Sequence, residues 1–369
     1  MARPRRVVVH LQVPYLVVPR PWRVGAATFW PAEALLERLR RRGGTARGPI
    51  PSVVFEHVTD ALVDSRWATV RIEVMSRVDR RGKEDLQATV AAVRDSARDS
   101  IAVLTLLKLV KARYVSTARQ SFGLVLDVAS VREDYWVTTT RGRYLMAGSA
   151  HHGTLGPWEF QPADIGRYRR DPRFQLLDVT LRTPDRERTD WQRRVVSALR
   201  TFTVTNTVDR PSTRIVLAAT ALEALLGDEF QPDVRQNPTG SHQLARRAAF
   251  LWCGAEHDNP HGPNRPACPF LTEPSDRRLA HRLAEDARHG QTWVCDYYAD
   301  LRDLYDDRSA ALHGAEVRFT DKLASRHEFT VERVLLLVLE WVAANKAKTL
   351  DEYEAAITNV PPTPPTPLS

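Results

Sequence analysis

The sequence predicts an α+β protein: a mixed α/β domain over residues 1–185, an all-helical bundle over 186–350, and a proline-rich tail over 351–369. Three observations carry this. Val70-Arg71-Ile72-Glu73-Val74 alternates apolar and polar residues, as a half-buried strand should. Leu86, Val90, Val93, Ala97, Ile101 and Leu104 recur at helical spacing and mark one buried helix face. After about residue 185 the strand-like runs stop, and helix-period segments follow one another.

Taken in order, strands are expected at 6–18, 67–75, 121–128 and 135–139, where β-branched and aromatic residues concentrate. Helices are expected at 31–42, with Pro31 at a plausible first position, and at 83–110. The second half predicts helices at 191–205, 212–226, 241–252, 276–287, 293–311 and 330–346. Ser212 and Thr213 offer N-caps for the second of these and Gly227 a C-cap. Val331, Val334, Leu335, Val338, Leu339 and Val342 give the last one a strong apolar stripe. Residues 254–275 form a Pro/Gly/Asn-rich loop too long for a simple connection. The segment 361–367 is read as extended and disordered.

With 369 residues the chain has room for about two domains of roughly 100–200 residues each. Three cysteines cannot build a disulfide framework, so a cytoplasmic setting is expected. No apolar run reaches the roughly 18 residues of a membrane span. Arg3–Arg6 followed by Val7-Val8-Val9 imitates a signal peptide, but His10, Gln12 and Pro14 interrupt the apolar part, and a first strand is the better reading. The net charge of +8 sits in residues 1–48, which hold ten Arg against Glu33 and Glu37. Any attraction to nucleic acid by net charge would therefore act through that segment, including Arg38 and Arg40-Arg41-Arg42. Phosphate-binding glycine loops, dinucleotide fingerprints and serine nucleophile elbows are absent from the sequence.

Arg308 stands five residues before His313, next to Ser309 and just ahead of Gly314. The spacing alone says little, because random placement of the chain's Arg and His gives roughly 1.4 such pairs. Two occur, Arg308/His313 and Arg5/His10. Context separates them. Tyr305-Asp306-Asp307-Arg308-Ser309-Ala310-Ala311-Leu312-His313-Gly314 follows an earlier helix containing Ala221-Leu222-Glu223-Ala224-Leu225-Leu226, with His242-Gln243-Leu244-Ala245-Arg246-Arg247-Ala248-Ala249 between them. That combination resembles the HEPN superfamily, most closely its Apea-like branch, over about residues 190–348. The resemblance implies a HEPN-type bundle, a homodimer in which two copies of the motif face each other, and RNA as substrate. It also implies roles in bacterial antiphage defence or toxin action.

The residues suit that chemistry. Attack of a ribose 2′-hydroxyl on its phosphate needs a group that moves protons near neutrality, a role for His313. It also needs a fixed cation for the charge building on phosphate, a role for Arg308. No metal or cofactor is required. Ser309 stands beside the arginine where the resembled family often has a polar residue, which implies a role in orienting substrate or the histidine. Glu223 lies among Ala and Leu on a face that should be buried, and a buried carboxylate demands a partner, so it is expected to pin Arg308 or another arginine. On a continuous helix five residues advance about 500°, leaving Arg308 and His313 roughly 140° apart. Arginine is long, however, and Gly314 predicts that the helix ends directly after His313.

Two other functions fit the sequence. One is a catalytically inactive RNA-binding or dimerisation module, in which Arg308 pairs with Asp306, Asp307 or Glu223 and His313 caps a helix. The other is a nucleic-acid-binding regulator working through residues 1–48. Cys253, His257, His261 and Cys268 raise a structural zinc as a side possibility, although their spacing matches no familiar zinc module. His151-His152 reads as a strand end or turn.

Overall fold

The computed structural model describes residues 4–13, 16–35, 37, 68–79, 81–107, 132–140, 144–151, 158–205, 208–227, 244–245, 247–249, 251, 296–314 and 319–353. Helices and an antiparallel sheet coexist, so the protein is α+β. The chain divides into two compact units, Met1–Pro184 and Asp185–Ser369.

In the first unit β1 (Arg6–Gln12) is a central strand. Val7, Val8, Val9 and Leu11 are all buried, so both of its faces are covered. After β2 (Leu16–Val17), the strands β3 (Trp22–Val24) and β4 (Ala27–Trp30) form a hairpin. Then come β5 (Thr69–Met75), β6 (Arg77–Val78) and β7 (Glu84–Asp85). Later strands are β8 (Arg132–Thr139), β9 (Tyr144–His151) and β10 (Trp158–Glu159). Six of them make one sheet in the order β3-β4-β5-β1-β8-β9, with β1 antiparallel to both neighbours. Register places Val9 opposite Ile72 on one side and Val137 on the other, a buried apolar row.

Helix α1 (Leu86–Leu107) packs against β1, β4 and β5. Of the predicted stripe, Val90, Val93, Ala97, Ile101 and Leu104 are buried, while Leu86, in the first turn, is half-buried. Two helices beyond those expected from the sequence follow, α2 (Pro162–Arg170) and α3 (Pro172–Arg182). Asp171 joins them: it ends α2, and its carboxylate accepts from Arg173 N at 2.8 Å to start α3. Trp22, Phe160, Tyr168 and Phe174 cluster beneath, with Trp22 and Phe160 centroids 5.2 Å apart. The Tyr168 hydroxyl donates to Leu104 O at 2.9 Å, tying α2 to α1.

Other departures in this unit have local causes. The expected 6–18 strand is two strands, β1 and β2, and Val13 N still bonds Ala68 O at 2.8 Å, in register with Gln12 opposite Thr69. The 135–139 strand begins three residues earlier, at Arg132, because it pairs along β9. Helix 31–42 is seen at 32–35 and 37, and the strand at 121–128 lies outside the described residues.

In the second unit α5 (Pro211–Leu226) packs against α4 (Asp190–Thr205), α6 (Asp296–His313) and α7 (Asp321–Asn345). Residues 244–245, 247–249 and 251 are also helical, whereas 276–287 lie outside the described residues. Ala218, Ala221, Leu222 and Leu225 of α5 are fully buried, as are Leu301 and Leu304 of α6. All six residues of the predicted α7 stripe are buried. Tyr353 stacks edge-on against Trp191 and Trp341, at 6.0 and 4.9 Å between centroids.

The caps correct two expectations. Ser212 and Thr213 do not cap α5. Arg210 is its N-cap and Pro211 its first residue, the position where a missing N–H costs nothing. Helix α7 starts at Asp321, nine residues before the predicted 330, with Thr320 accepting from Leu323 N at 3.2 Å. Its early turns carry no strong apolar stripe because polar side chains make the contacts there. Arg214 of α5 donates from Nε to Glu328 at 2.7 Å and from Nη1 to Asp321 at 2.9 Å.

Candidate functional site

The motif residues lie on the last three turns of α6. The helix runs unbroken to His313 and stops as the sequence predicts. Gly314 adopts φ +68°, the left-handed conformation that terminates helices and that glycine takes without strain. Because the helix is regular between them, Arg308 and His313 leave it about 140° apart and roughly 7.5 Å apart along the axis. A single copy of α6 does not bring the two side chains onto one face.

Arg308 turns toward α5, where its Nη2 lies 3.2 Å from the Glu223 carboxylate. The expected pin is therefore present, and Glu223 rather than Asp306 or Asp307 supplies it. It is a loose grip. Both groups are about a third exposed, the contact is long for a charge-assisted pair, and the buried Arg308 Nε has no acceptor. Burial pushes the Glu223 carboxyl above the ordinary carboxylate range, and Arg308 opposes this only in part.

Tyr305 sits one turn before Arg308. It is buried, and its hydroxyl has no hydrogen-bond partner. Burial first, and the Glu223 charge second, push its phenol well above the usual range against the pull of Arg308. Tyr305 therefore stays protonated and is a donor. Ser309 and His313 are exposed, and neither has a hydrogen-bond partner among the described residues.

Several residues around this site were not singled out from sequence. His327 of α7 is buried and pairs through Nε2 with Asp307 at 2.7 Å, fixing α6 against α7 one residue from Arg308. Arg326 binds Asp300 along the same seam. At the C-terminal end of α5, one turn past Glu223, Arg247 donates to Leu226 O and Arg194 to Gly227 O. Carbonyls that the helix leaves open, at the negative end of its dipole, attract such cations. Gly227 itself is extended, with φ −72°, and a Cβ there would lie 2.4 Å from Glu223 O. The glycine is required for space, not for a left-handed turn.

The other candidates separate from this cluster. Arg5 is bound bidentately by Glu84, at 2.8 and 2.7 Å, and His10 is buried in β1. Burial raises the Glu84 carboxyl, but hydrogen bonds from Arg5 and Ser76 outweigh it and hold it low. Within the basic segment Arg6 also meets Glu73, at 3.9 Å, while residues 38–48 lie outside the described residues. Cys253, His257, His261 and Cys268 lie outside them too. Among the described residues no group of three or more His, Cys, Asp or Glu is placed to hold a metal, and no helix is long and apolar enough to cross a membrane. His151 ends β9, paired with Arg132.

No protein family, curated protein or solved structure matches this chain. Function therefore rests on the chemistry of the residues and on the motif they form.

Proposed function

We propose that the Asp185–Ser369 unit is a HEPN-type, metal-independent endoribonuclease, held by the full chain for antiphage defence or a toxin role. The observation that supports it most is His313: an exposed imidazole without a partner, in the last turn of the helix that also carries Arg308. A core histidine would be buried and paired, as His327 is.

In this reading His313 takes the proton of a ribose 2′-hydroxyl as the 2′-oxygen bonds to phosphorus. The P–O5′ bond breaks, and the 5′-oxygen leaves with a proton from a second acid. Arg308 neutralises charge on the phosphate oxygens. The products are a 2′,3′-cyclic phosphate and a 5′-hydroxyl. Because one copy of α6 sends Arg308 and His313 in different directions, a two-copy site is favoured, with each copy completing the other. Ser309, exposed between them, orients substrate.

The second reading is a non-catalytic RNA-binding or dimerisation module, favoured by the Arg308–Glu223 pair, which occupies the cation the reaction needs. Expression toxicity separates the two. Growth arrest by the wild type, relieved by both His313→Ala and Arg308→Ala, supports catalysis. Arrest that persists in His313→Ala supports the module.

A further inference from the structure

Arg308 is held less fully than the arginines that form forked pairs elsewhere in the chain. Arg5, Arg173 and Arg214 each grip one carboxylate through Nε and Nη2 together. Such fork-to-fork pairs satisfy both ends of the guanidinium. Arg308 reaches Glu223 through Nη2 alone, and its Nε–H is buried and points at no acceptor. One turn away the Tyr305 hydroxyl is likewise buried without a partner. Two donors thus stand unpaired beside a carboxylate that engages neither. Buried donors without acceptors are costly, so a site with two of them is built to receive acceptors from elsewhere.

We infer that Glu223 is a displaceable place-holder on Arg308, and that a phosphate group takes its position, drawing hydrogen bonds from Arg308 Nε and Nη2 together. This rests on the ribonuclease reading above and adds its regulation: the cation is masked in the resting protein and freed when phosphate competes with the carboxylate. The two non-bridging oxygens of a phosphodiester, free of the backbone tether that fixes where Glu223 can reach, can accept from Nε and Nη2 together, as the carboxylates on Arg5, Arg173 and Arg214 do. Both partners are about a third exposed, so the exchange needs no opening of the core.

The surroundings leave Glu223 free to let go. Desolvation already disfavours its charged form. The groups facing it from α6 are Arg308 and Tyr305. Helix α7 brings Asp321 and Glu328 to α5, but these bind Arg214, about two and a half turns from Glu223. On α4, Arg194 is committed to Asp190 and to Gly227 O. Among the described residues, Arg308 is the cation that acts on the Glu223 carboxylate.

The test follows the Arg308 Nε–H resonance by NMR in the full chain while inorganic phosphate is added. Glu223→Gln keeps the shape and removes the charge. Loss of a partly exposed ion pair converts to an apparent affinity for phosphate about threefold to fivefold tighter in the variant. Arg308→Lys identifies the resonance by its disappearance, and its phosphate response elsewhere should be flat. Equal titration of wild type and Glu223→Gln, or weaker binding by a variant that still melts cooperatively, overturns the proposal and makes Glu223 an orienting residue instead. The readout does not depend on RNA cleavage. Failure of the ribonuclease reading would show as cleavage insensitive to His313→Ala, and failure of the place-holder as equal phosphate titrations.

Discussion

Glu223 links the stability of this protein to pH in a direction that can be checked. Its folded carboxyl lies above the ordinary range because burial outweighs the nearby Arg308. A group shifted this way adds stability that is fully present below its unfolded pKa, near 4.3 for a model glutamate, and that is lost as pH rises through the folded value. Glu223→Gln removes the penalty of the buried charge, so the variant should gain on the wild type between acid and neutral pH in thermal melts. A difference that stays constant across that range would mean the carboxylate titrates normally. At this scale the sequence was informative where a residue stood out against its helix. A carboxylate among Ala and Leu announced the Glu223 pair, and Gly after His announced the end of α6. His327 with Asp307, and Arg214 with Glu328, were silent, because polar pairs between two helices leave no period in either one.

The elements show the same division. The apolar stripes of α1 and α7 were legible since burial on one face forces a helical spacing. The first turns of α7 were not, because their contacts are ionic. Helices α2 and α3 were missed as well: one is short and the other only moderately longer, and each begins at a proline that reads as a break unless it is taken as a first helical residue. The two helix-ending glycines near the site make a paired prediction. Gly314→Ala places a side chain in a left-handed residue with open space around it, at a cost of about 1 kcal/mol. Gly227→Ala drives a Cβ onto the Glu223 carbonyl at 2.4 Å, and a backbone oxygen cannot step aside, so roughly 2 kcal/mol is expected. Urea denaturation of both variants should rank Gly227→Ala as the more damaging. The reverse order would mean that the end of α6 matters more than the Glu223 turn. Since Gly227 follows Glu223 by one turn, its variant should also disturb the Arg308 pair.

For the whole molecule, the α+β class was legible from alternation in one half and helical spacing in the other. The sheet order was not, since antiparallel neighbours such as β1 and β8 lie more than a hundred residues apart and nothing local encodes that pairing. The candidate site residues follow the same logic. Arg308 and His313 could be found by their context on one helix, but their divergence became evident only from the regularity of α6. Under the proposed ribonuclease reading, that divergence calls for a composite, two-copy site. The direct measurement is the ends of cellular RNA in bacteria expressing the full chain. Wild type should produce fragments with 2′,3′-cyclic phosphate termini, and these should vanish in His313→Ala and Arg308→Ala variants that are equally abundant and folded. The same termini in His313→Ala cells, or none in cells whose growth the wild type arrests, would contradict the assignment of this helix as a ribonuclease site.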